Sequence, residues 1–227
     1  MSCLVFENAT DNSNVALGSH LMWIGFGFYD RYLKDHALSQ HFKAFTDLLE
    51  HPRVKQNFPD KYGVAGDIID IGCGTAMLSE FCKGHNYRGA DLPHVVAGCA
   101  MRNYPQYLYR GFDIYNDSID WISQFDIIIL NAVLDIMQYP LAILRKVVSA
   151  MSLGAFLIIH RQEITKEGST KIIQNGSYGS LTYHAILAKK EFEDILFEHD
   201  CQIIHETSPG FSNWEDGGKS FLIHKYY

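Results

Sequence analysis

The segment Asp67–Ala76, DIIDIGCGTA, holds the residues whose spacing most clearly suits chemistry. An apolar run carries Asp70 at its end, Gly72 and Gly74 follow with Cys73 between them, and a helical segment begins near Met77. Glycines let a backbone turn tightly and approach a ligand with no side chain in the way. The helix start beyond them offers free N–H groups and partial positive charge. An acid at the strand tip can hold an ammonium group. Ala76 and Met77 leave the G-x-G-x-x-G dinucleotide pattern incomplete, so on its own the G-x-G also describes a tight strand-to-helix turn.

Three more polar residues end successive apolar runs. Asp91, in YRGADLP, stands 17 residues after Gly74, near the ~20-residue offset of an acid that accepts from a ribose diol. The same residue would also suit a helix cap ahead of Pro93. Asp113, at the end of YLYRGFD, could accept from an exocyclic amine or lie in a solvated turn. Asn131 ends FDIIILN, where a polar side chain faces the crevice in which open α/β sheets bind ligands.

These residues need a scaffold, and the hydrophobic pattern supplies one. Leu38, Phe42, Phe45, Leu48 and Leu49 recur at helical spacing, so His36–Glu50 is expected to be an amphipathic helix, ended by Pro52 and NFPDKYG. From Asp67 onward, short apolar runs alternate with helical segments. The runs are Asp67–Ile71, Asn86–Asp91, Tyr107–Asp113, Phe125–Asn131 and Gly154–His160. Between them lie Met77–Lys83, His94–Asn103, Asp117–Ser123 and Leu141–Met151. That alternation predicts β-α-β units and a doubly wound parallel sheet covered on both faces. After His160, Thr165–Gly179 reads as a polar loop, Glu191–Glu198 as a helix, and Gln202–Glu206 with Ser220–Tyr226 as an antiparallel edge hairpin. The expected organisation is an N-terminal helical cap over residues 1–60 and an α/β domain over 61–227, with a lid-like insert at about 162–186.

Composition narrows the class. The 227 residues are 47% hydrophobic and 20% charged, which excludes disorder as a description of the whole. A net charge of −7 without a Lys/Arg run argues against a nucleic-acid partner. Five cysteines (Cys3, Cys73, Cys82, Cys99, Cys201) in no C-x-x-C pattern suggest free thiols in a reducing compartment. No H-E-x-x-H or zinc-type spacing occurs among eleven histidines, so no metal is expected. No apolar run approaches the ~18 residues of a membrane span. The expected location is the cytoplasm, and the oligomeric state is left open.

In joint order and spacing, DIIDIGCGTA, GADL, GFD, FDIIILNAVLDI and LGAFLII resemble the successive motifs of class I S-adenosylmethionine-dependent methyltransferases, over Asp67–Arg161. The resemblance implies a Rossmann-like seven-stranded sheet, parallel except for a last strand inserted between strands five and six. It implies that Asp70, Gly72, Cys73 and Gly74 surround the methionine end of S-adenosylmethionine and that Asp91 binds the ribose hydroxyls. Leu92 would pack on the adenine, Asp113 and Ile114 would contact its ring, and Asn131 would lie near the sulfonium. The chain departs from the pattern at Ala76, where many members have a third glycine, and at Asp135, where many small-molecule members have Glu or His.

A sulfonium is already electrophilic, so the protein's part is orientation, desolvation and a proton acceptor. An oxygen nucleophile needs a base near neutral pH, and histidine is the natural choice. His160 ends the fifth run and His184 follows the polar excursion; either is the candidate base, and either also fits an ordinary structural or surface histidine. Trp23, Phe26, Phe28, Tyr29 and Tyr32 could line an acceptor site or pack the first helix on the sheet. Tyr183 and Arg161 are further candidate acceptor contacts, with Arg161 or Arg31 drawing an anion. Asn175–Thr182 reads as a lid. The charge favours a small-molecule acceptor, and the absence of N-P-P-Y or D-P-P-Y after the fourth run argues against adenine or amide nitrogen. O-methylation of a sugar or natural-product intermediate is the expectation. The alternatives are a non-catalytic cofactor-binding scaffold and a nicotinamide oxidoreductase. Against the latter stand the incomplete glycine pattern and the lack of Tyr-x-x-x-Lys.

Overall fold

The computed structural model describes residues 36–58, 66–175, 182–208 and 218–226. Trp23, Phe26, Phe28, Tyr29, Arg31 and Tyr32, and the centre of the expected lid, lie outside them.

Helix α1, His36–Leu49, follows the expected bounds, and a short α2, Pro52–Asn57, comes next. Pro52 opens this second helix as well as closing the gap after the first: proline suits the first helical turn, where no N–H is needed. The His51 ring caps α2 by accepting from the Arg53 N–H.

The strands are β1 (Asp67–Ile71), β2 (Asn86–Asp91), β3 (Leu108–Gly111), β4 (Ile127–Asn131), β5 (Phe156–Thr165), β6 (Lys171–Asn175), β7 (Thr182–Ala188), β8 (Cys201–Thr207) and β9 (Lys219–Lys225). Strands β3-β2-β1-β4-β5 pair in parallel in that order. The last strand, β9, runs antiparallel between β5 and β8. Seven strands thus form the expected sheet. Helices α3 (Pro140–Ala150) and α4 (Lys189–Glu198) complete the regular elements.

Side chains of the central strands alternate between two cores. Ile69, Ile71, Ile128, Leu130, Leu157 and Ile159 face α3 and α4. Ile68, Ile127, Ile129, Phe156 and Ile158 face α1, packing on Phe42, Phe45, Leu48 and Leu49. Asp70 and His160 continue the second series, so both are polar residues on the α1 face near the carboxyl ends of their strands.

Two expectations change. The segment expected as a polar loop after Thr165 contains β6, which pairs antiparallel with β7, and β7 continues the sheet from Glu163–Thr165 of the ten-residue β5. KIIQN is strand because β7 supplies its ladder bonds; its local composition alone does not demand it. The expected helices Met77–Lys83 and Asp117–Ser123 are short 3₁₀ turns at Met77–Phe81 and Asp120–Gln124. Ala76, left-handed at φ 61°, precedes the first of these.

Phe45 is fully buried, and its ring meets the His160 ring edge-on at 5.8 Å. Truncating a buried phenylalanine removes transfer energy and leaves a cavity. Phe45→Ala is expected to lower the unfolding free energy by about 3–5 kcal/mol in urea titration, because α1 seals one face of the sheet.

Candidate functional site

The turn after β1 is built around two backbone contacts and one carboxylate. The N–H groups of Gly72 and Cys73 donate to the Ala90 carbonyl at 2.7 and 3.2 Å. The Gly74 N–H donates to Asp91 Oδ2 at 2.8 Å, and the Leu92 N–H to Asp91 Oδ1 at 2.7 Å. Gly72 lies at φ 76°, and a Cβ there would fall 2.6 Å from a Val133 methyl. Only glycine fits. Gly74 is also left-handed, as is Ala76 where a third glycine was the commoner pattern. The helix after β2 takes Leu92 as its N-cap, without a side-chain cap. Asp91 therefore does not act as that cap; it ties the glycine turn to the end of β2.

Asp70 is buried, and the Tyr87 hydroxyl donates to its Oδ2 at 2.7 Å. Among the described residues its Oδ1 has no hydrogen-bond partner. Burial raises the Asp70 pKa to about 7; the Tyr87 hydrogen bond opposes the rise and the nearby Asp91 charge adds to it. Burial and Asp70 together push the Cys73 and Cys82 thiols up, so both stay protonated. Cys73, Cys82, Cys99 and Cys201 are free and buried.

On the next strand, Asp113 is engaged by its own turn. Oδ1 accepts from the Tyr115 N–H at 2.9 Å and Oδ2 from Asn116 Nδ2 at 2.7 Å, while its own N–H donates to Asp117. Ile114 is buried in the α3-side core, and Leu92 is half-buried. Lys146 of α3 holds this loop, donating to the carbonyls of Ile114 at 2.8 Å and Asp117 at 2.7 Å.

Beyond β4 a second group of side chains converges. Asn131 pairs in register with His160, and its Oδ1 is buried without a partner. Ala132 turns left-handed (φ 52°) and donates its N–H to the His160 carbonyl at 3.0 Å. His160 is 1% exposed, with Nδ1 at 2.7 Å from Ser220 Oγ. Burial, with Arg161 beside it, lowers its pKa to about 3. Sealed in the core beside Ser220, His160 has the surroundings of an ordinary structural histidine.

Arg161 is left-handed (φ 64°) at a register shift against β9, a bulge of the kind that re-aims a side chain. Gln162 Nε2 then bonds the Ala185 carbonyl at 2.9 Å, joining β7 to β5. His184 Nε2 meets Glu163 Oε2 at 2.8 Å, both partly exposed. Asp135, on the 3₁₀ turn Leu134–Ile136, is buried. Its pKa rises to about 6 through burial, against the pull of Arg161 and His184. Tyr183 lies near Tyr115, whose hydroxyl accepts from the Gln138 N–H at 3.1 Å. The structure thus brings Arg161, Tyr183 and His184 together with Asp135, Glu163 and Tyr115, three residues absent from the expected site. Glu163 follows a continuous apolar strand and Tyr115 sits in a loop, so neither carried a sequence signal; Asp135 showed itself only as a departure from a pattern. Among the described residues no group of three or more His, Cys, Asp or Glu could hold a metal ion, and no helix is long and apolar enough to cross a membrane.

Solved structures share this fold. A Leishmania major S-adenosylmethionine-dependent methyltransferase superposes with a TM-score of 0.63 at 10% identity, over 91% of this chain and 82% of that one. A Methanosarcina mazei S-adenosylmethionine-dependent methyltransferase gives 0.58 at 17% identity, over 78% and 98%. The chain has the fold of S-adenosylmethionine-dependent methyltransferases. The Burkholderia thailandensis 1,6-didemethyltoxoflavin-N1-methyltransferase, solved with 1,6-didemethyltoxoflavin and S-adenosylhomocysteine, gives 0.57 at 12% identity, over 97% and 92%. No family model and no curated protein matches the sequence. In this methyltransferase fold the crevice opens at the carboxyl ends of the strands, where Asp70, Asp91 and Asn131 sit.

The raised Asp70 pKa has a signed consequence for stability. The folded protein favours the protonated carboxyl, so ionisation weighs against the fold between the ordinary value of 3.8 and about 7. In urea unfolding of ligand-free protein, wild-type stability relative to Asp70→Asn should fall as pH rises through that window. The contributions of His160 and Asp135 are common to both proteins and cancel. A difference that rises with pH would contradict the assignment.

Proposed function

We propose that the protein transfers a methyl group from S-adenosylmethionine to a hydroxyl oxygen of a small-molecule acceptor, such as a sugar or a natural-product intermediate. The observation that carries this reading is the Gly74–Asp91 clamp at the strand ends, flanked by two orphaned buried oxygens, Asp70 Oδ1 and Asn131 Oδ1. The residues present fit the cofactor: the orphaned buried oxygens at the strand ends call for donors, and Asp91 keeps lone pairs beside its two backbone donors.

When bound, S-adenosylmethionine supplies an electrophilic methyl group and leaves as S-adenosylhomocysteine. Asp70 receives the ammonium, and Gly72, Cys73 and Gly74 border the methionine end. Asp91 keeps lone pairs for the ribose hydroxyls beside its two backbone donors. Leu92 and Ile114 would flank the adenine and Asn131 would border the sulfonium, while the Asp113 carboxylate holds its own turn through Tyr115 and Asn116. His184 is the base: Glu163 orients its ring and stabilises the imidazolium formed when the acceptor hydroxyl gives up its proton. Arg161 and Tyr183 bind the acceptor, and the same role is proposed for Trp23 and Tyr29.

Calorimetric titration is expected to show micromolar binding of S-adenosylhomocysteine and none of NAD. Asp91→Ala should weaken that binding at least ~10-fold, matching the ~1.5–3 kcal/mol of a hydrogen bond to a charged group. NAD binding alone would reverse the reading. Once a hydroxylated acceptor is found by screening for S-adenosylhomocysteine release, His184→Gln should lower kcat by roughly 10²–10⁴ while leaving S-adenosylhomocysteine affinity unchanged. An unchanged kcat would remove His184 from the chemistry.

A further inference from the structure

We infer that Tyr87 is a positioning residue for the amino-acid end of the cofactor: its hydroxyl occupies one oxygen of Asp70 and so dedicates the other to the ammonium. The inference rests on the cofactor reading above and concerns a residue that belongs to none of the glycine or acidic motifs.

Tyr87 lies in β2, two residues before Gly89, the register partner of Asp70. It is 2% exposed and held edge-on to Tyr107 with ring centroids 5.1 Å apart. From there its Oη reaches Asp70 Oδ2 at 2.7 Å. A carboxylate can rotate and share donors between its two oxygens. Tyr87, itself fixed by packing, stops that rotation, and the partnerless buried oxygen is Oδ1.

Among the described residues, the titratable groups that act on Asp70 or feel its charge are Asp91, Cys73, Cys82, Tyr87 and Tyr109. None is a cation. A buried carboxylate with an orphaned oxygen and only neutral or negative neighbours lacks a positive partner, and leaving it so is costly. An ammonium arriving from the crevice meets both needs. Tyr87 has a second effect, because its donated hydrogen bond favours the ionised carboxyl that an ammonium requires. A purely structural phenol would influence stability but would not distinguish ligands with an amino-acid end from ligands without one.

The test compares wild type and Tyr87→Phe by calorimetry, with S-adenosylhomocysteine and with 5′-methylthioadenosine, which lacks the amino-acid end, from roughly pH 6 to 8.5. Wild-type affinity for S-adenosylhomocysteine should rise with pH as Asp70 ionises. In Tyr87→Phe that rise should move to higher pH; a move of about one pKa unit from about 7 gives roughly a fivefold loss at pH 7, approaching tenfold at lower pH and narrowing by pH 8.5. Binding of 5′-methylthioadenosine should be the same in both proteins throughout. Equal S-adenosylhomocysteine binding at every pH, or parallel loss of both ligands by a folded variant, would overturn the inference. Wild type that binds neither ligand would overturn the cofactor reading and this inference with it. Should Tyr87→Phe not fold, Asp70→Asn keeps an acceptor for the phenol. It should lose the preference for S-adenosylhomocysteine over 5′-methylthioadenosine and show no pH dependence; a retained preference would refute the role.

Discussion

The hydrogen bond from the Gly74 N–H to Asp91 closes the turn after β1 onto the end of β2. Parallel strands cannot be joined by a tight turn, so nothing in their connection fixes how their carboxyl ends lie. Here the ends are fixed by direct contact: the Ala90 carbonyl takes two N–H groups of the turn and Asp91 takes a third. Positive φ at Gly72 and Gly74 makes those groups point inward, and the Val133 methyl behind Gly72 leaves no room for a side chain. The crevice floor is therefore backbone, held by one carboxylate that keeps lone pairs for a ligand.

The two sides of the crevice use charge differently. Around the β1 turn, Asp70 and Asp91 lie in apolar surroundings with thiols and phenols as neighbours, which suits a ligand that brings its own positive charge. Around the end of β5, Arg161, His184, Asp135 and Glu163 share charge among themselves, which suits proton movement. The separation follows from the strand ends. At β4 and β5, Ala132 and Arg161 both turn left-handed, a conformation that disfavours non-glycine residues by roughly 1–2 kcal/mol each. The strain is held by the Ala132–His160 backbone bond and by Ser220, which binds the His160 ring and lies 3.4 Å from the Arg161 N–H. His160 thus serves the site as the anchor that lets β5 break its register and aim Arg161.

Much of this was legible in the sequence. The order of apolar runs carried the sheet, because strands buried on both faces read as continuous Ile-rich runs and leave little room for another assignment. The glycine turn and Asp91 were legible because their chemistry is local, and α1 because its stripe is strongly periodic. What escaped depends on pairing across long separations. Strand β6 is strand only opposite β7. His160 and His184 look equivalent in a sequence, and only the structure shows one buried against Ser220 and the other partly exposed beside Glu163. Asp113 carried two meanings, and the hydrogen bonds show the turn, with the carboxylate directed to Tyr115 and Asn116.

The β6–β7 ribbon places the His184–Glu163 pair on structure added beside the parallel strands. Past the bulge of β5, Gln162 still pairs with Lys219 of β9, and Glu163–Thr165 continue the strand to pair with β7. Glu163 comes from that continuation and His184 from the ribbon, so the dyad belongs wholly to structure built beyond the core. Gln162 fixes the ribbon by binding the Ala185 carbonyl, one residue from His184, and Tyr115 links the loop after β3 to the segment after β4. The His184–Glu163 pair is therefore held within a residue of the Gln162–Ala185 bond. Two half-sites with separate anchors, one built of backbone and one of strand extension, let the charge of each be set independently.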